Sequence, residues 1–291
     1  MQGKTVVITG ANSGLGKETA KVLANRGANI ILVCRDKTQG EIAKQEIIKT
    51  SGNNNITLEI CDLSSKDSIH QCGLSIRKKY NHIDVLVNNA GAIFGTRVIN
   101  SDGLEQTFAL NLMGYFRFTH YMLDLLKNGT DKRIVNVASY AHNFAKKIPW
   151  DDLQFETTPY RQLYVYGLSK LYDIYFTKQL AKIMDAQKTG ITVNAVHPGT
   201  VHSNFGKSGT KLFYIGFKIA SPFYDNVKKG AKMAIHMASS SKVKDVSGAY
   251  YAHMKVGKLT TLAQSEEDAK RLWNICLKLD DIKTYGTLDL S

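Results

Sequence analysis

Short apolar runs alternate with longer stretches of mixed polarity along most of the chain. The runs at 4–9, 28–33, 56–60, 83–87, 133–137 and 191–196 are rich in Val, Ile and Leu and carry few charges. Such runs read as strands buried on both faces. A seventh strand is expected at 247–251. Apolar residues recur at helical spacing in 17–26, where Ala20, Leu23 and Ala24 share a face, and helices are also read over 37–50, 103–127 and 163–186. Asp62-Leu63-Ser64-Ser65 has the chemistry of a helix start and opens a further helix to about residue 80. Repeated strand–helix units of this kind predict an α/β fold. Its sheet is parallel and doubly wound, helices cover both faces, and ligands sit at the carboxyl ends of the strands. No linker, repeat or low-complexity tract divides the chain, so 1–291 is read as a single domain.

The first unit carries the strongest chemical signal. The run 4–9 passes directly into Gly10-Ala11-Asn12-Ser13-Gly14-Leu15-Gly16, ahead of a helix. Gly10 suits a tight turn out of the strand. Gly14 lets a pyrophosphate approach the backbone, and Gly16 lets the helix pack close to the sheet. Unpaired N–H groups at the helix start, with the helix dipole behind them, face the phosphates. Gly10, Asn12, Ser13, Gly14, Leu15 and Gly16 are therefore candidate contacts of a dinucleotide, and the doubly wound sheet is of the Rossmann type.

Later strand ends refine the cofactor. After the second strand stand Cys34, Arg35 and Asp36. An acid here bonds the ribose 2′-OH of NAD(H), whereas an arginine favours the 2′-phosphate of NADP(H). Cys34 occupies the position expected of the acid and Arg35 follows it, so NADP(H) is the expected cofactor. Asp36 keeps NAD(H) as the alternative, or else caps the next helix. After the third strand, Asp62 can bond the adenine amino group and Leu63 can pack on the ring; Asp62 is equally suited to capping the helix. After the fourth come Asn88, Asn89, Ala90 and Gly91, small residues that admit the cofactor's ribose, with an Asn able to tie neighbouring strands.

Composition narrows the classes further. The 4 cysteines, Cys34, Cys61, Cys72 and Cys276, show no C-x-x-C spacing, which argues against a disulfide frame or a zinc site and for a reducing compartment. No run of about 18 apolar residues occurs, so no spanning helix is expected. The first strand begins too early to leave room for a signal peptide, and a cytoplasmic protein without a metal is expected. The net charge of +13 suits an anionic cofactor, an anionic membrane or nucleic acid. With no helix-turn-helix, RRM-like or zinc pattern, nucleic acid is not an expected partner.

Thr9-Gly10-x-x-x-Gly14-x-Gly16, Asn88-Asn89-Ala90-Gly91, Asn111, Ser139 and Tyr166-x-x-Ser169-Lys170 together resemble the short-chain dehydrogenase/reductase family over essentially the whole chain. Cys34-Arg35-Asp36, Ala141-His142, His197-Pro198-Gly199-Thr200-Val201 and the long stretch from Ser139 to Tyr166 resemble its retinol dehydrogenase-like branch, whose members are often NADP-dependent. The Tyr-x-x-x-Lys spacing recurs at Tyr214/Lys218, Tyr224/Lys228 and Tyr251/Lys255, so position must decide among them. Tyr166/Lys170 lies on the helix between the strand that precedes Ser139 and the sixth strand, where i and i+4 residues share a face.

The chemistry follows from charge. Tyr166 can give a proton to a carbonyl oxygen as hydride reaches its carbon. A free phenol has a pKa near 10, and the Lys170 ammonium is expected to lower it. Ser139 is expected to hold the substrate oxygen by hydrogen bond. Lys170 can also bond the nicotinamide ribose. The resemblance implies a water held by Asn111 in a proton relay near Lys170, and contacts from Pro198, Gly199 and Val201 to the nicotinamide. The stretch from Ser139 to Tyr166, with Pro149, Trp150 and Pro159, reads as a surface loop near the pocket. His197 reads as a turn residue.

A substrate lid is expected at 203–232, where many aromatic and aliphatic residues alternate with lysines. Such a segment can close a pocket, or lie peripherally on an anionic intracellular membrane and admit a lipophilic substrate. The implied activity is NADP(H)-dependent interconversion of a lipophilic aldehyde or ketone, retinal-like by family, and its alcohol. The alternative is a non-catalytic NADP(H)-binding regulatory protein. The intact set Asn111, Ser139, Tyr166 and Lys170 argues against it.

Overall fold

The computed structural model describes residues 1–199, 209–210 and 226–287. Strands β1 (Thr5–Thr9), β2 (Asn29–Cys34), β3 (Ile56–Ile60), β4 (Val85–Asn88), β5 (Arg133–Val137), β6 (Thr192–Val196), β7 (Tyr250–Ala252) and β8 (Lys255–Val256) form one sheet. Its order is β3-β2-β1-β4-β5-β6-β7-β8, parallel throughout except for the antiparallel β8. The chain winds outward from β1 to β3, returns to β4 beside β1, and winds the other way. The direction therefore switches between β1 and β4, and a ligand crevice belongs at their carboxyl ends.

Alternation along each strand divides the core in two. Val7, Ile31, Val33, Leu86, Ile134 and Val193 point to one face. There they meet helices α3 (Lys66–Lys79), α4 (Gly114–Lys127) and α5 (Gln162–Ala186) and the C-terminal helix Glu266–Leu279. Val6, Ile8, Ile30, Leu32, Val87 and Val135 point to the other, against α1 (Gly14–Asn25), α2 (Lys37–Ser51) and the helix Val227–Ser239. Burial on both faces is why these strands read as continuous apolar runs.

Several boundaries differ from the sequence reading. The segment read as one helix from 103 begins with a π-helical turn, Phe108–Met113, before α4 proper. The cap of α3 is Ser65, which accepts from the Ser68 amide; Asp62 instead accepts from the amide and hydroxyl of Ser64. Most of the expected lid at 203–232 lies outside the described residues. Its last part is not a lid. Residues 227–232 begin the helix Val227–Ser239, which buries Gly230 and Ala231 and exposes Lys228, Lys229 and Lys232. Among the described residues no helix is long and apolar enough to cross a membrane. All four cysteines are buried and free.

A buried ion pair ties the C-terminal segment to α4. Arg117 Nε donates to both carboxylate oxygens of Asp280, at 3.0 and 2.8 Å, and Nη1 donates to Asp102. Next to it Tyr285 donates to the Phe116 carbonyl at 2.6 Å and packs on Trp273. Removing one partner of such a pair leaves a desolvated charge. Asp280→Ala is expected to destabilise the fold by about 3 kcal/mol, read as a lowered urea midpoint with an unchanged slope.

Candidate active site

The glycine turn sits at the switch point. Gly10 takes φ +63°, and a Cβ there would lie 2.9 Å from the Ala90 backbone. A Cβ on Gly16 would lie 2.5 Å from both the Gly10 carbonyl and Asn89 Nδ2. Helix α1 is thus pressed onto the strand ends, as the sequence implied. Asn89 is the tie: Nδ2 donates to the Thr9 carbonyl at 2.8 Å, and its amide donates to Thr9 Oγ1 at 2.8 Å. Ser13 caps α1 in backbone geometry but makes no side-chain cap bond, so the first-turn amides face the crevice.

That crevice has a volume of about 390 Å³. Its walls include Gly10, Asn12, Ser13, Gly14 and Leu15 from the turn, Arg35, Asp62 and Leu63 from the next two strand ends, and Asn89, Ala90 and Gly91 from β4. Gly16 stands behind this wall. Pro198 and Gly199 follow β6, Gly199 with φ +85°, and Val201 lies outside the described residues. At the Arg35 side, the Asp36 carboxylate accepts from the Gln39 amide at 2.9 Å and so caps α2. Cys34 is not a crevice residue: burial pushes its thiol up to about 12 and keeps it uncharged. Arg35 is exposed at the rim. A glycine cradle, free helix-start amides and an exposed guanidinium fit a phosphorylated dinucleotide.

Beyond Gly91 lies the second cluster. A Cβ on Gly91 would lie 3.2 Å from Asn111 Oδ1 and 3.5 Å from Lys170 Nζ, so crevice and cluster share a wall. Tyr166 and Lys170 are buried on one face of α5. Lys170 Nζ donates to the Val137 carbonyl at 2.9 Å and to Asp173 Oδ2 at 2.8 Å. Ser139 caps the 3₁₀ turn Tyr140–Phe144: its Oγ accepts from the Ala141 amide at 3.1 Å. The Ser139 hydroxyl also bonds the Tyr166 phenol. Ile93 and Ala141 pack on the Tyr166 ring.

Asn111 sits inside the π-helical turn, fully buried. Its Nδ2 donates to the Ala92 carbonyl at 3.0 Å and Ser169 Oγ at 2.9 Å, while Oδ1 accepts from the Ala92 amide. The side chain thus ties the β4 loop to α5. Tyr251/Lys255 spans the β7–β8 hairpin rather than one helix face. Tyr214/Lys218 and Tyr224 lie outside the described residues.

Burial raises the Tyr166 phenol above its ordinary value; Lys170, as expected, and Ser139 pull it down, and Asp173 pushes it up again. Burial works to lower Lys170, but Asp173 more than offsets it and keeps the ammonium charged.

Two roles here were not read from the sequence. Asp173 is the counter-ion of Lys170; its signal was an acid three residues after the lysine. His142, fully buried and held neutral by desolvation, donates from Nδ1 to the Ser139 carbonyl at 2.8 Å and so fixes the serine turn. His197 Nδ1 accepts from the Tyr140 amide at 3.1 Å, and burial lowers its pKa to about 4, which agrees with a turn role. The loop 145–161 frames its own cleft of about 930 Å³ with Trp150 and Tyr164, sharing no wall residue with the cofactor crevice.

Comparison with known proteins agrees with this geometry. The family model described as short chain dehydrogenase matches residues 4–150, a span that includes the glycine turn and Ser139. Retinol dehydrogenase 12 of Homo sapiens is 37% identical over 283 residues, covering 97% of this chain and 88% of the relative. Retinol dehydrogenase 13 of Homo sapiens is 37% identical over 276 residues, covering 93% and 82%. Among solved structures, an uncharacterized protein from Mycobacterium paratuberculosis superposes with TM-score 0.78 at 27% identity, covering 99% of this chain and 96% of that one. The chain therefore belongs to the short-chain dehydrogenase/reductase family, in its retinol dehydrogenase-like branch.

Proposed function

We propose that this oxidoreductase of the carbonyl/alcohol class uses NADP(H) to interconvert a lipophilic aldehyde or ketone and its alcohol, with Tyr166 moving the proton. The observation that carries this reading is the convergence of Ser139, Tyr166 and Lys170 against Gly91, at the mouth of the dinucleotide crevice. NADPH, when bound along the glycine turn and Arg35, supplies the hydride. Ser139, whose oxygen already accepts from Ala141, donates to the substrate oxygen. Tyr166 gives its proton to that oxygen as negative charge develops there. The Lys170 ammonium stabilises the phenolate left behind. Asn111 holds the β4 loop against α5. The family resemblance gives it a relay water near Lys170, and its Oδ1, which accepts only from the Ala92 amide, has an acceptor site for one.

Lipophilic substrates are supported by the rim. Tyr140, Phe144 and Leu163, which flank Ser139 and Tyr166 in sequence, are 62%, 50% and 45% exposed. Large apolar side chains left in water beside a catalytic cluster favour an apolar ligand. The names of the retinol dehydrogenase relatives point the same way. For NADP(H), the support is the exposed Arg35 at the rim.

The test is oxidation of NADPH and NADH against retinal, aliphatic and aromatic aldehydes, steroid ketones and a hydrophilic aldehyde. Turnover is expected with NADPH, highest on the lipophilic aldehydes. Tight NADPH binding without turnover on any carbonyl would overturn the proposal in favour of a regulatory binder.

A further inference from the structure

Asp173 lies on α5 one turn beyond Lys170 and two beyond Tyr166, with no exposed surface. Its Oδ2 accepts from Lys170, while Oδ1 is buried with no hydrogen-bond partner among the described residues. Burying a carboxylate is costly, and leaving one oxygen unbonded makes it costlier. The polar ladder on the neighbouring strands makes no bond to this carboxylate: Asn88 donates to Asn136 and Thr119, and Asn136 donates to Thr177. The Asp173 carboxylate is directed at Lys170.

The groups facing it confirm a local role. Lys170 and Tyr166 belong to α5 itself, and α4 presents Tyr115, whose phenol burial and Asp173 together keep un-ionised. From the sheet comes the Val137 carbonyl, which accepts from the same ammonium. Nζ of Lys170 is thus clamped between the Val137 carbonyl and Asp173. The clamp has a second consequence. A carboxylate beside the ammonium cancels part of the pull that Lys170 exerts on the Tyr166 phenol.

We propose that Asp173 is a positioning residue: it fixes Lys170 and sets the pH at which Tyr166 changes from proton donor to proton acceptor, holding it as the phenol through neutral pH. The inference rests on the carbonyl/alcohol reading above and extends it. In reduction, the carbonyl carbon takes the hydride and its oxygen takes the phenol proton. In oxidation, the phenolate takes the hydroxyl proton as the hydride leaves for the oxidised nicotinamide. Both directions depend on this ionisation: reduction needs the phenol and oxidation the phenolate. Burial raises the Asp173 carboxyl to about 7 against the opposing pull of Lys170. Its negative charge, and the hold on the phenol, are therefore present above that pH and released below it.

The experiment follows the ionisation of Tyr166 by NMR in apo-protein labelled at the tyrosine ζ carbons, the signal being assigned by its loss in Tyr166→Phe. Asp173→Asn, in which Lys170 keeps its bond to the Val137 carbonyl and its charge is followed by the ¹⁵N signal of its ammonium, is expected to move the midpoint about one pH unit lower while that ammonium stays charged. Asp173→Glu is expected to restore it. The break in the pH profile of alcohol oxidation is expected to move with the midpoint. A midpoint that stays in place or rises in Asp173→Asn would overturn the proposal. If that variant does not fold, the wild type decides: the Tyr166 signal must respond to a titration near neutral pH, well below its own ionisation, and a flat signal overturns the idea. The titration needs no turnover, so a protein that reduces no carbonyl would sink the proposed function and leave this result standing by itself.

Discussion

Tyr166→Phe is expected to lower kcat by about a thousandfold, the scale of a lost general acid, while NADPH binding stays near its wild-type value. The substitution removes one oxygen. The ring remains packed on Ile93 and Ala141, and Lys170 keeps its bonds to Val137 and Asp173. The glycine cradle and Arg35 are untouched. What disappears is the proton donor, and with it the partner of the Ser139 hydroxyl. Single-turnover mixing of NADPH-loaded enzyme with a lipophilic aldehyde separates the chemical step from binding. Fluorescence titration gives the NADPH affinity in parallel. A variant that turns over within a few-fold of wild type would remove Tyr166 from the proton path. A variant that also stops binding NADPH would mean that the phenol acts mainly in cofactor binding.

The inner strands were legible because both of their faces are buried. Val6 to Ile8 and Ile30 to Val33 leave no polar position to obscure the pattern. Strand β8 was not, since Lys255 and Val256 are both exposed and form only the last rung of the sheet. The π-helical turn at Phe108–Met113 was invisible for a different reason. Widening one turn changes the helical repeat by a single residue, and the apolar positions on either side still read as helix. Asn111, named from the family pattern, lies within reach of Gly91 and Lys170, and its side chain bonds Ala92 and Ser169.

Tyr166, Lys170 and Ser139 were found from motif and position together; the structure brings them into one cluster. The direction of the Tyr166 shift was not legible. The sequence names the cation beside the phenol but does not weigh it against burial, and it does not show that Asp173 offsets the cation. An acid three residues after the lysine was the available signal. Likewise the lysine-rich stretch to 232 reads as continuous, although its last turns belong to a helix packed on α1. Ala231 at the sheet side decides that, and an alanine between lysines carries little weight in a pattern.

Arg35→Asp is expected to change the preference for NADPH over NADH, measured as the ratio of kcat/KM values, by about a thousandfold. The two cofactors differ only at the adenosine ribose, so the ratio cancels effects on hydride transfer, on substrate binding and on the glycine turn. An arginine–phosphate bond contributes about 1.5–3 kcal/mol, and an aspartate in its place adds repulsion with a dianionic phosphate. Together these amount to about 4 kcal/mol, which is the thousandfold stated. NADH should lose little, and it gains a second acceptor for its 2′-OH. Asp36 uses Oδ1 to cap α2 and lines the crevice beside Arg35. Cys34 supplies no acceptor, because its thiol is buried away from the crevice. The proposed preference rests on the exposed Arg35 guanidinium at this rim. Arg35→Lys should keep most of the preference if charge is what counts, and lose it if the planar fork is needed. An unchanged ratio in Arg35→Asp would show that the 2′-phosphate is read elsewhere, and would return NAD(H) to equal standing.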